Sequence, residues 1–125
     1  CINYNKLHKS KKEKTMCNNN FLGDAGEDFA AKLLMLKGYR ILERKYRCKV
    51  GEIDIIAEKS DKLFFVEVKT RQTVRFGMPA ESVTREKQRH IRRTAAYYLE
   101  SHGRSRNSVS FQVIELLVNQ IENAF

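Results

Sequence analysis

The chain has 125 residues, enough for one domain with a real core and too few for two. Its 42% hydrophobic and 31% charged residues fit a folded, water-soluble protein, and a formal charge of +9 favours an anionic partner, nucleic acid first. The 3 scattered cysteines, Cys1, Cys17 and Cys48, exclude a disulfide framework or zinc knuckle and fit a reduced, cytosolic compartment, and no apolar run nears the ~18 residues of a membrane-spanning helix.

Residues 1–20 read as a disordered basic extension. Lys6, Lys9, Lys11, Lys12 and Lys14 stand against Glu13, and no apolar segment follows to make a secretory signal. Met16-Cys17 ahead of Asn18-Asn19-Asn20 has the look of a start, so the domain is expected over residues 21–125. Asp24-Ala25-Gly26-Glu27-Asp28 opens a helical pattern with acids in its first turn, where the helix dipole favours them. Phe29, Leu33 and Leu36 recur at helical spacing, and Gly38 suits a left-handed stop. Tyr39–Arg47 reads as a first strand and Cys48–Gly51 as a bend. Glu52–Glu58 and Leu63–Lys69 then form a hairpin about Ser60-Asp61. Thr70–Pro79 reads as a loop, Thr84–His102 as a second long helix with Gly103 as its stop, and Ser108–Val118 as a fourth strand.

Both faces of the hairpin carry apolar residues: Ile53, Ile55, Ala57, Phe64, Val66 and Val68 on one, Ile56, Leu63 and Phe65 on the other. That predicts an α/β fold with helices on both sides of a mixed central sheet, in the order αβββαβ. The helical crossover makes the third and fourth strands parallel if they are neighbours.

With the turn centred on Ser60-Asp61, residue i faces residue 121 − i. Asp54 then lies opposite Glu67, and Glu52 opposite Lys69, all on one face. Opposed carboxylates repel, and a divalent cation with Lys69 beside it would relieve them. Magnesium, or manganese, takes one or two carboxylates with water and phosphate oxygens, acts as a Lewis acid and lowers the pKa of bound water. Lys69 would hold a phosphate oxygen or the attacking water. The competing reading is a solvated strand face with a Glu52–Lys69 ion pair. Glu27, among Ala25, Gly26 and Ala30, would serve as a third acid or equally as a partner of the helix dipole. Gln88 sits on the stripe of Ile91, Ala95 and Leu99, where its amide needs a partner: a carboxylate, a phosphate, or only the margin of the core. Arg71 and Arg75 follow Lys69 closely enough to grip flanking phosphates, and Lys87 and Arg92 belong to a basic second helix. His8, His90 and His102 have no ligand spacing.

Gly23-Asp24-Ala25-Gly26-Glu27, Gly38-Tyr39, Gly51-Glu52-Ile53-Asp54-Ile55-Ile56-Ala57, Phe65-Val66-Glu67-Val68-Lys69-Thr70-Arg71, Lys87-Gln88 and the closing Ile121–Phe125 together resemble the YraN family. That family is placed in the PD-(D/E)XK nuclease superfamily, near archaeal-type Holliday junction resolvases. The resemblance runs from about Phe21 to Phe125. It implies a restriction-endonuclease-like core with Asp54 and Glu67 as metal ligands, Val68 adding its backbone carbonyl and Lys69 as the catalytic lysine. Glu27 would be the helical acid and Gln88 the helical polar residue lining the site. A homodimer follows by the same likeness, since a two-fold junction invites a two-fold protein. Two positions depart from the pattern: Ile53 replaces the superfamily's proline, and Ser110-Phe111-Gln112-Val113 stands where the family usually carries Arg-Phe-Asp-Val. The expected function is a metal-dependent endonuclease acting on DNA, with branched or repair intermediates as the substrates the likeness suggests. The alternatives are a nucleic-acid-binding module that kept the fold without turnover, and an assembly protein.

Overall fold

Ser60 and Asp61 carry the backbone through φ values of 51° and 62°, the two positive values that a type I′ hairpin turn requires. The turn joins β2, Gly51–Lys59, to β3, Lys62–Arg71. Their antiparallel register runs from Lys59 opposite Lys62 to Ile55 opposite Val66, as the turn position predicts. The computed structural model describes residues 11–72 and 83–125, with the backbone alone for residues 11–20. Before the hairpin come α1, Lys11–Leu36, and β1, Arg40–Cys48; after it come α2, Arg85–Ser101, and β4, Ser108–Leu117. The expected αβββαβ order is what the chain adopts.

The sheet runs β1-β2-β3-β4, with β1 and β2 antiparallel and β3 and β4 parallel. A helix covers each face. On the α1 side, Ala30, Ala31 and Leu34 pack on Ile55, Ala57 and Val66. On the α2 side, Ala95 and Tyr98 pack on Ile53, Ile56, Leu63 and Phe65. Each large aliphatic or aromatic side chain so buried contributes roughly 1.5–3 kcal/mol. Two core layers flanking one sheet account for the apolar residues on both hairpin faces.

Three expectations are corrected here. The first helix begins at Lys11, upstream of the Asp24 start expected for it, so residues 11–20 are helical backbone; residues 1–10 lie outside the described residues. Nothing from Lys11 to Leu22 is Gly or Pro, which lets the helix continue upstream. Its buried face is also rotated from the predicted stripe: Phe29 and Leu36 are exposed, and Ala30, Ala31 and Leu34 are buried. Gly26 explains the rotation, because a Cβ there would collide with Thr70 Oγ1 of β3. The helix therefore approaches on its small residues. Finally, β3 extends to Arg71, so Thr70 and Arg71 belong to the strand; the remainder of the expected loop, with Arg75, lies largely outside the described residues.

Gly51 plays the matching part on the other face. A Cβ at this position would sit 2.7 Å from Thr94 Oγ1, whose buried hydroxyl donates to the His90 carbonyl at 2.8 Å. The glycine that opens Gly51-Glu52-Ile53-Asp54 thus lets α2 lie against the start of β2.

Candidate functional site

Side-chain alternation breaks at Asp54. Ile55 and Ala57 pack on the α1 side, but Ile53 packs on the α2 side with Ile56. The expectation that Ile53 shares a face with Ile55 is therefore corrected, and with it the single-face array from Glu52 to Glu58. Two irregularities accompany the break. The β2–β3 ladder has its last pair at Ile55 and Val66, so Asp54 and Glu67 adjoin at its open end and are not a paired row within it. Across β2, Lys45 of β1 adopts a left-handed φ of 51°, strained for a lysine.

Freed from the ladder, the Asp54 carboxylate takes over a backbone donor: the Val68 N–H donates to Asp54 Oδ2 at 2.8 Å. Val68 therefore enters the site through its N–H. Glu27 approaches the same carboxylate from α1, near enough for the two groups to influence each other's ionisation. Burial, then the Asp54 charge, holds the Glu27 carboxyl above its ordinary range. Burial also raises Asp54, the Val68 N–H opposes that rise, and the Glu67 charge adds to it. Lys45 bridges to Asp24 at 2.7 Å and to Glu27 at 3.7 Å. Asp24, Glu27, Lys45, Asp54 and Val68 line a depression of about 270 Å³ on the α1 side.

Asp54 also borders a larger space. With Glu67, Lys87, Gln88, Arg92 and Phe111 it lines a cleft of about 550 Å³ between the sheet and the first turns of α2. Thr84 caps α2 by accepting from the Lys87 N–H, which fixes the turn carrying both polar residues. Lys87 Nζ pairs with Glu67 Oε1, the Glu67 side chain being only 17% exposed. Gln88 Nε2 donates to the Val83 carbonyl at 2.8 Å, so its amide secures the helix start while lining the cleft. Arg92 holds its guanidinium 5.8 Å from the Phe111 ring centre.

The remaining predicted residues divide. Lys69 is half-buried in the row beside Glu115, lines neither cleft and has no ion pair with a described residue. Glu52 pairs with Arg47 at 3.1 Å, so the Glu52–Lys69 ion pair of the competing reading is not what this strand holds. Arg71 is engaged with Glu115 at 2.8 Å. Arg75 lies outside the described residues. Sequence reasoning missed Lys45 and Phe111. Nothing in an alternating strand marks Lys45 as left-handed; Phe111 had a signal, an aromatic one strand from Phe65.

A divalent cation is compatible with this donor set. Two carboxylates suffice for magnesium, and Glu67 lies near enough for its charge to disfavour ionisation of Asp54. Among the described residues, no group of three or more His, Cys, Asp or Glu side chains is placed to hold a metal ion. A cation here would have at most two of the carboxylates, with water and substrate oxygens for the rest of its shell.

A mixed four-stranded sheet between two helices defines an α/β protein compatible with a restriction-endonuclease-like core. No described helix is long and apolar enough to cross a membrane. The sequence profile of "Uncharacterised protein family UPF0102" matches residues 26–116, and the chain belongs to this family, also called YraN. A UPF0102 protein of Caldicellulosiruptor saccharolyticus is 42% identical over 113 residues, covering 83% of this chain and 96% of its own. One from Clostridioides difficile is 44% identical, covering 86% and 99% respectively. A Moorella thermoacetica relative is 48% identical over 100 residues, covering 80% and 83%.

Proposed function

We propose that this protein is a metal-dependent endonuclease that hydrolyses phosphodiester bonds in DNA. One observation carries the reading: two carboxylates from neighbouring strands, Asp54 and Glu67, open on a cleft whose helical wall brings Lys87 and Arg92. Acids alone would repel a phosphodiester; acids holding a cation beside basic side chains would bind one. Bound magnesium or manganese would supply a Lewis acid and a water of lowered pKa. The Val68 N–H holds Asp54 in place, and Glu27 supports it from α1. Lys69, two residues after Glu67 on the same strand but outside the cleft lining, would have to swing towards Glu67 to orient the attacking water or a phosphate oxygen. Lys87 neutralises Glu67 until substrate arrives and then would pass to a phosphate, with Arg92 taking its neighbour. Two copies acting on the two strands of a branched substrate belong to the same proposal.

Incubation with supercoiled plasmid and with a synthetic four-way junction tests it, in magnesium, manganese or EDTA. Metal-dependent cleavage that falls at least about 100-fold in Asp54→Ala and Lys69→Ala is expected. Cleavage unchanged in both variants would overturn the assignment. A second reading, a binding module without turnover, is favoured by the Lys87–Glu67 pair, which already satisfies one of the two acids. It requires salt-sensitive DNA binding that is indifferent to metal and to Asp54→Ala.

A further inference from the structure

Phe111 is 43% exposed, the one aromatic in an exposed apolar row of the edge strand β4 that also holds Val109 and Val113. Its ring stacks on the buried Phe65, with centroids 5.7 Å apart and planes 27° from parallel. Phe65 is held in turn edge-on against Tyr98 of α2. The ring is thus a firm platform with an open surface, not a loose side chain. It lies in the same cleft as Asp54 and Glu67. Register places it close to them: Phe111 is beside Phe65, and Val113, the next residue on that face of β4, is beside Glu67. Strand rise and spacing put the Phe111 and Glu67 backbones roughly 8 Å apart.

Around the ring the cleft carries two cations, Lys87 and Arg92, and the acids Glu52, Asp54, Glu67 and Glu86, so the basic side of the cleft is its α2 wall. Arg85, Lys87, Arg89, Arg92 and Arg93 stand against one acid, Glu86, along the first half of α2. Arg92 stands over the ring 5.8 Å from its centre, so a base would enter between or beside the two, with the guanidinium turned to a phosphate. An aromatic surface flanked by cations is the arrangement that holds unpaired bases, since every base has a π-face.

We propose that Phe111 is a stacking platform for an unpaired nucleobase, so that the substrate is DNA carrying an unpaired or extrahelical nucleotide beside the scissile phosphate. This rests on the nuclease reading for its cleavage step only; the binding step stands independently. The ring then acts as a specificity-determining residue, and the hydrolytic groups are unaltered by it.

The test is binding of the full chain in calcium, which takes carboxylate oxygens in place of magnesium and relieves the repulsion of the acids, with the probe checked to be uncleaved. The probes are a duplex with one bulged 2-aminopurine and the same duplex fully paired. The wild type should prefer the bulged duplex by about 5- to 150-fold, the equivalent of about 1–3 kcal/mol per stacked base, and should quench the 2-aminopurine. Phe111→Leu should lose both preference and quenching, and Phe111→Trp should keep them. Equal binding of the two duplexes by the wild type overturns the proposal without any variant. So does a Phe111→Leu protein that binds as the wild type does, or a wild-type dimer that this substitution converts to a monomer, which would make the ring an interface between copies. Preserved quenching without metal-dependent cleavage would overturn the nuclease reading alone; cleavage without quenching would overturn the platform alone.

Discussion

At Asp54 opposing influences act on one carboxyl: burial and the Glu67 charge disfavour its ionised form, while the Val68 N–H favours it. The net direction is upward, so the folded state holds this proton more tightly than the unfolded state. The associated stability is complete below the ordinary carboxylate range and is lost as pH rises through the raised value. Asp54→Asn removes that loss while keeping an oxygen for Val68. In EDTA at neutral pH the variant is expected to melt a few degrees above the wild type, with the gain vanishing as pH falls towards about 4. Magnesium should raise the wild-type melting temperature and leave the variant unmoved; calorimetry across pH checks both. Lys87 is the corresponding case for Glu67. An ion pair this exposed on the lysine side is worth up to about 1 kcal/mol. Lys87→Gln should therefore tighten manganese binding by up to about 5-fold in titration calorimetry. The same change should weaken DNA binding.

The elements differ in how openly they are written in the chain. The β2–β3 hairpin is legible because Ser60-Asp61 fixes a turn, and one turn fixes every pairing up to Ile55 with Val66. What lies past that pair is not, because alternation presumes an unbroken ladder. The left-handed Lys45 and the release of Asp54 to Val68 depend on β1, α1 and β3 together. The face of α1 escapes the sequence pattern for a related reason. Periodicity of Phe29, Leu33 and Leu36 weighs side-chain size, whereas the contact with Thr70 is decided by the absence of one at Gly26. Gly26→Ala is accordingly expected to destabilise the fold by about 1–3 kcal/mol, despite the better helix propensity of alanine. Urea denaturation measures it. Because Glu27 is the next residue, the same variant should lose support for Asp54.

For the molecule as a whole, composition points to nucleic acid but does not say where the charge gathers. Packing answers that: α2 lies on the sheet through Ala95 and Tyr98, which turns Lys87 and Arg92 towards the acids and leaves the other basic residues in water. If DNA lies along this wall, log affinity should fall linearly with log salt, with a slope near −0.9 per phosphate neutralised. Lys87→Gln should flatten that slope by about one, as fluorescence anisotropy over a salt series would show. The sheet's connectivity has a further consequence. Two tight links sew β1, β2 and β3 to their sequence neighbours, whereas β4 reaches β3 only after α2 has intervened. Loop closure makes such a distant pairing late and slow. Nascent molecules would thus possess their acidic residues well before the last strand arrives beside Glu67, and maturation of the cleft would coincide with the final step of folding.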